Sequence, residues 1–143
     1  MDDFVAMSIV YRRASLSNEG DRTNLLANPS YLELSERAVL PGRSLVAVIE
    51  GRVIGFASVD MVEDGFELEA LFVDPDAMRH GAGSALVFAL LDRARRRGLS
   101  RISVDANVHA LAFYRHAGFT EVGTVELEFG PVPRMVLPVV PLA

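Results

Sequence analysis

Apolar residues along this chain repeat at two different spacings, and the places where one gives way to the other predict its elements. After a frayed start over residues 1–7, the run Ser8-Ile9-Val10-Tyr11-Arg12-Arg13 reads as an edge strand. Ser15 to Arg22 is polar and opens a weakly helical stretch. Leu25, Leu26, Tyr31, Leu32, Leu34, Val39 and Leu40 supply its apolar positions, and Pro29 interrupts the pattern. From Ser44 the signal sharpens. Leu45–Ile49 and Val53–Val59 are strands around the turn Glu50-Gly51-Arg52, and the turn Glu63-Asp64-Gly65 leads into a third strand, Phe66–Val73. The period then lengthens: Leu86, Val87, Leu90, Leu91 and Ala94 mark a helix between Gly83 and Gly98, with Arg93, Arg95, Arg96 and Arg97 in its last turns. Ile102–Val104 is a short strand and Asn107–His116 a short helix closed by Gly118. Phe119–Phe129 and Met135–Val140 form a closing strand pair around the loop Gly130-Pro131-Val132-Pro133. An antiparallel meander followed by strand, helix, strand and helix implies an α+β class: a mixed, mostly antiparallel central sheet flanked by helices in an α/β-type three-layer arrangement. The crossover from Phe66–Val73 to Ile102–Val104 is parallel and right-handed in this reading.

Composition narrows what such a sheet carries. The 143 residues suit a single domain, 1–143, and with 50% hydrophobic residues the chain buries enough surface to fold. A net charge of −5 gives no global attraction to nucleic acid or anionic lipid, so neither is expected as a partner. There is no cysteine, no long apolar run and no basic signal-like start, which points to the cytoplasm. All 14 basic residues are arginine, which excludes lysine nucleophiles and a phosphate-loop lysine. His80, His109 and His116 share no metal-ligand spacing and no G-x-S-x-G elbow is present, so neither a metal site nor a serine hydrolase is predicted.

Two places hold candidate chemistry. From Leu71 to Leu86 a strand end, a tight loop and a helix start follow one another, with Gly81 and Gly83 allowing close approach of a ligand to the main chain. The first N–H groups of the helix lack intrahelical partners, so this loop is a cradle for a diphosphate, assisted by Arg79. Any tight strand-to-helix turn uses glycine in the same way, and spacing alone leaves both readings open. A dinucleotide fingerprint fits less well, because a third glycine and a preceding βαβ unit are missing. On the strand before this loop, Glu67 and Glu69 share a face with Leu71 and Val73. They are either candidate bases or the carboxylates of a solvated face.

The run Glu67-Leu68-Glu69-Ala70-Leu71-Phe72-Val73-Asp74-Pro75, then Arg79-His80-Gly81-Ala82-Gly83, then Asp105 to Phe119 with Tyr114 and Gly118-Phe119, resembles the Gcn5-related N-acetyltransferases, the GNAT family. The resemblance implies a GNAT-like fold and transfer of an acetyl group from acetyl-CoA to a primary amine of a small molecule or peptide, directly in a ternary complex. It implies that the amides of Gly81 and Gly83, with Arg79, His80, Ala82 and Ser84, grip the pyrophosphate. The family's Gln or Arg in this motif is Met78 here, a departure that removes one side-chain contact. Leu71, Phe72 and Val73 then pair with the pantetheine arm and polarise the thioester, which requires their strand to splay from Ile102–Val104. Asn107 and Phe113 complete the cofactor contacts, although Asn107 also reads as a helix cap. Tyr114 protonates the departing thiolate, and Glu69, nearer the loop, is favoured over Glu67 as general base. The arginine run Arg93–Arg97 either complements the negative end of its helix or reaches the ribose phosphate. The acceptor pocket falls to the first forty residues and the loop Gly130–Arg134, and two copies of the chain pair through the C-terminal strands. A non-catalytic acyl-CoA sensor and a nucleotide-binding module unrelated to CoA remain as rival readings.

Overall fold

The loop Glu50-Gly51 holds both residues at positive φ, 52° and 78°, the backbone that a two-residue turn needs to match the twist of its flanking strands. It joins β1 (Ser44–Ile49) to β2 (Arg52–Val62) as an antiparallel hairpin with Ile49 opposite Arg52. β2 is buried without alternation from Ile54 to Val59, the mark of a strand covered on both faces. The Asp64 turn, at φ 63°, leads into β3 (Gly65–Val73). After it come a 3₁₀ turn (Pro75–Ala77), helix α2 (Ala82–Arg96), β4 (Arg101–Asp105), a 3₁₀ turn (Val108–Ala110), helix α3 (Leu111–His116), β5 (Thr120–Leu127) and β6 (Gly130–Pro138). This computed structural model describes residues 3–17, 42–78, 81–127 and 130–141, together with Thr23, Leu26, Ala27, Ser30, Glu33 and Leu34.

The N-terminal expectation is overturned. Ser8–Arg13 is not a strand, and the frayed start is not frayed from Asp3 onward: both belong to helix α1 (Asp3–Leu16). Met7 and Val10 are fully buried against Phe56, with Tyr11 half-buried beside them, a set at helical spacing that the apolar run Ile9-Val10-Tyr11 disguises as a strand. Tyr11 meets Phe72 edge to face at 4.8 Å between ring centroids, and Phe72 in turn lies 5.7 Å from Phe56. Packing therefore overrides the β-propensity of this run, and truncating Met7 to Ala would cost about 2–5 kcal/mol. Most of the weakly helical stretch after Ser15, including Leu25, Tyr31, Leu32, Val39 and Leu40, lies outside the described residues.

The strands hydrogen-bond in the order β1-β2-β3-β4-β6-β5, a mixed six-stranded sheet in which β3–β4 is parallel and β1–β2, β4–β6 and β5–β6 are antiparallel. With the three helices of the described residues this is the α+β fold expected. The loop expected at Gly130–Pro133 is instead the first part of β6, with Pro131 opposite Glu126 and Pro133 opposite Thr124. The prolines are tolerated because β4 pairs only with Arg134–Pro138, so on that side the strand needs no further N–H donor, and the Pro133 carbonyl still accepts from Ala106 at 2.8 Å.

By contacts the chain forms two compact units, residues 1–59 with 70–86, and residues 60–69 with 87–143. The first is built on Met7, Val10 and Phe56, with a smaller cluster of Ile54, Ala77 and Ala82. In the second, Phe66, Leu90, Ala94, Ile102, Val104, Phe119, Met135 and Leu137 are buried. Strands β2 and β3 and helix α2 each run from one unit into the other. Among the described residues no helix is long and apolar enough to cross a membrane.

Candidate active site

In the first unit, a carboxylate organises the turn between β3 and α2. Asp74 is buried, and its Oδ1 accepts from the Asp76 amide at 3.0 Å, capping the 3₁₀ turn. Arg13 donates from Nε to Asp74 Oδ2 at 3.1 Å and from Nη2 to Oδ1 at 3.2 Å, and it reaches Asp76 at 2.6 Å. Arg52 adds a fourth bond to Asp74 at 3.3 Å. Burial alone would raise the Asp74 carboxyl, but the Asp76 amide and the two guanidiniums outweigh it and hold it below the ordinary value.

This turn delivers the chain to Gly81, whose φ of 76° strains any residue with a side chain, although a Cβ there would meet nothing within 4 Å. Ala85 makes the first helical bond back to the Gly81 carbonyl, at 2.9 Å, so the amides of Ala82, Gly83 and Ser84 have no intrahelical partner. Ser84 is exposed and Ala82 buried. An anion at these amides gains about 0.3–1 kcal/mol from the helix dipole in addition to the hydrogen bonds. Arg79 and His80 lie outside the described residues. Met78, at the position of the expected Gln or Arg, is 58% exposed.

The end of β3 is the second feature. Asp74 donates its N–H to the Ile54 carbonyl on β2 at 2.7 Å, and the Phe72 carbonyl faces Gly55, whose substitution would bring a Cβ within 3.1 Å of it. Main-chain groups alternate sides along a strand, so Phe72 and Asp74 bond toward β2 while Leu71 and Val73 present N–H and C=O to the opposite edge. Among the described residues the β3–β4 ladder ends at Leu68 opposite Val104, so this edge of Leu71 and Val73 has no strand beside it. The splay from Ile102–Val104 is not what ends the ladder: Phe66, Glu67 and Leu68 pair with Ile102, Ser103 and Val104, and β4 itself stops at Asp105. Phe72, by contrast, is committed by its ring to Tyr11 and Phe56.

In the second unit, Tyr114 sits in α3 and is 5% exposed, with its ring edge to face against Phe113 at 5.4 Å and Phe119 at 5.2 Å. The helix ends in a pair of bonds, Gly118 N to Arg115 O at 3.1 Å and Phe119 N to Tyr114 O at 3.0 Å, with Gly118 at φ 106°. That closure brings the residue after the glycine onto the residue five before it, so the Gly-Phe pair is what clamps the Tyr114 ring. Burial pushes the phenol up to about 12. Among the described residues no hydrogen-bond partner of the Tyr114 hydroxyl is present. Asn107 caps the turn before α3, accepting from the His109 amide at 2.8 Å. Glu67 and Glu69 share a face of β3, yet Glu67 is bound by Arg134, whereas Glu69 is exposed and no described residue pairs with it. The arginines ending α2 are used locally: Arg96 on Asp92, Arg95 on the Val140 carbonyl, Arg97 over the Phe66 ring.

The sequence reading missed Arg13 and Asp74 as builders of the loop, and Arg134 with Asp105 as partners of Glu67. A lone arginine within the apolar run Val132 to Leu137 was the available signal for the latter.

A family model described as "Acetyltransferase (GNAT) family" matches residues 13–119. The [ribosomal protein bS18]-alanine N-acetyltransferase of Escherichia coli is 33% identical over 84 residues, covering 57% of this chain and 56% of that protein. The chain thus spans about half the length of that relative. An aminoglycoside N(6')-acetyltransferase type 1 of Klebsiella aerogenes is 35% identical over 104 residues, 64% of this chain and 68% of that one. The crystal structure of the E. coli ribosomal-protein-S18-alanine N-acetyltransferase superposes with a TM-score of 0.69 at 25% identity, over 99% of this chain and 90% of that chain. With the family model spanning both the glycine loop and the tyrosine helix, the chain belongs to the acetyltransferase (GNAT) family.

Proposed function

We propose that this chain transfers an acetyl group from acetyl-CoA to a primary amine of a small molecule or peptide, directly in a ternary complex. Two observations carry the reading: among the described residues the edge of Leu71 and Val73 has no strand paired to it, and the first three amides of α2 have no intrahelical partner. An extended amide-bearing arm ending in a diphosphate meets matching groups at both. The arm pairs with Leu71 and Val73 as an added strand, and the pyrophosphate takes the amides of Ala82, Gly83 and Ser84. Arg79, His80, Asn107 and Phe113 are further contacts of the same substrate in this reading.

Glu69 accepts a proton from the incoming ammonium, directly or through water, because a protonated nitrogen has no lone pair to attack with. The neutral nitrogen adds to the thioester carbon, whose developing oxyanion is met by a main-chain N–H at Leu71 or Val73. Collapse breaks the C–S bond, the nitrogen loses its second proton to water, and the sulfur takes one from the Tyr114 hydroxyl. Solvent returns a proton to the phenolate, so one proton is released per turnover. A phenol near 12 is a weaker acid than a thiol at about 8.5, so the phenolate is short-lived and regains its proton as the thiol leaves.

The alanine-specific and aminoglycoside relatives point to N-terminal peptides and aminoglycosides as the first acceptors to try. Thiol release from acetyl-CoA over alanine-initiated peptides, aminoglycosides and polyamines tests the reading. Turnover with any of them is the expected result. Tight acetyl-CoA binding without release would instead favour the acyl-CoA sensor, for which the exposed Met78 in place of Gln or Arg is the one supporting observation. A melting temperature raised by ATP or NAD and not by acetyl-CoA would sink both.

A further inference from the structure

Glu67 and Glu69 stand about 7 Å apart along one face of β3, yet their carboxylates have opposite freedom. Glu67 is gripped side by side: Arg134 Nη1 donates to Oε2 at 2.5 Å and Nη2 to Oε1 at 2.6 Å. Arg134 Nη1 also donates to Asp105 Oδ1 at 2.9 Å, and Asp105 lies directly opposite Arg134 in the β4–β6 register. The guanidinium is therefore aimed by the adjacent strand while it reaches past it to β3. A surface ion pair with one free geometry is worth little, but a bidentate fork fixed by a second carboxylate is directional. Each Glu67 oxygen spends one in-plane lone pair on the fork, so a water or an ammonium offering a proton meets only the remaining lone pair of a carboxylate whose charge the guanidinium already neutralises. At Glu69 there is nothing of the kind among the described residues.

We propose that Arg134 is a positioning residue that withholds Glu67 from proton transfer and thereby assigns proton acceptance to Glu69, with Asp105 orienting the guanidinium. The proposal rests on the acetyl-transfer reading above. Glu67 is then a reserve base: chemically competent, on the right face, and held out of use by a side chain that arrives from a strand 67 residues away in sequence.

A suppressor experiment separates this from a merely structural arginine. The readout is thiol release at saturating acetyl-CoA with an alanine-initiated peptide, and with kanamycin as a second amine. Glu69→Gln should lower turnover about 100-fold, the usual size of a lost general base. Adding Arg134→Gln should return roughly tenfold of that loss, because Glu67 is released to accept the proton. Asp105→Asn in place of Arg134→Gln should return less, and Arg134→Lys, which keeps a cation on Glu67, less still. A further Glu67→Gln should abolish the gain in each case. An arginine that only held strands together would slow every background and rescue none.

The proposal is overturned if Glu69→Gln with Arg134→Gln, folded and still binding acetyl-CoA, is no faster than Glu69→Gln alone. It is equally overturned if the gain survives loss of Glu67. Should Arg134→Gln fail to fold, the Asp105→Asn combination is judged by the same two criteria. Full turnover by Glu69→Gln itself is a different result, which removes Glu69 as base and this proposal with it.

Discussion

Around Asp74 one carboxylate is held by two guanidiniums and an amide, whereas around Arg134 one guanidinium holds two carboxylates. The two clusters also differ in exposure: the Asp74 side chain is 4% exposed, while those of Arg134 and Asp105 stand about a third open, at 31% and 34%. A charge that deep is costly unless its lone pairs are all met, so the Asp74 cluster has one permitted geometry, and that geometry sets where the turn into α2 points. The Arg134 cluster is screened and contributes little to stability, but it decides which lone pairs on the strand face are still available. On the proposed reading, the same chemistry at two depths serves binding in one unit and reactivity in the other. Substitutions in the first unit should appear in affinity and stability, those in the second in turnover.

The largest expected effect tests the second half of that division. Tyr114→Phe should reduce kcat by about 100-fold or more while leaving the Kd for acetyl-CoA, measured calorimetrically, within about twofold. Unaltered amine acetylation between pH 6 and 9 would remove Tyr114 as the acid. The same residue gives an alkaline signature. Its folded pKa, about 12, lies above the ordinary tyrosine value near 10, so the stability it confers is complete below pH 10 and is lost as pH rises toward 12. Tyrosinate absorbance compared between wild type and Tyr114→Phe would show the late-ionising phenol directly.

Next in size, Asp74→Asn should cost about 1–3 kcal/mol in urea unfolding at neutral pH, the upper range for a buried pair being discounted because both guanidiniums are largely exposed. A depressed carboxyl stabilises the fold above its unfolded value and stops doing so as pH falls through the folded one. The gap between wild type and Asp74→Asn should therefore close below about pH 4. A gap that stays constant from pH 7 to 3 would mean that Asp74 acts by shape and not by charge. Gly81→Ala forces a side chain into left-handed backbone at about 1–2 kcal/mol. It should weaken acetyl-CoA binding roughly tenfold with kcat at saturation retained; a fall in kcat alone would contradict the division between the units. Smallest of all, Arg115→Ala breaks an exposed pair with Glu121 and should shift stability by about 0.5 kcal/mol or less, which thermal melts can check.

Local pattern alone was sufficient for the β1–β2 hairpin, for helix α2 and for the glycines at 81 and 118, because a two-residue turn, a helical stripe and a left-handed residue are each decided within a few positions. Asn107 was legible as a cap for the same reason, and Gly118 as the helix closure, whereas the packing of Phe119 on the Tyr114 ring is seen only in the structure. Three matters lay beyond that range. Ile9-Val10-Tyr11 suits either period, and only the cavity beside Phe56 that Met7 and Val10 fill makes it a helix. Pro131 and Pro133 look like loop residues until β4 proves to stop short of them. That Glu67 is held and Glu69 is not, two glutamates in near-identical local sequence, depends on an arginine that reaches past β4 from β6, and strand pairing, being non-local, is what no short window of sequence encodes.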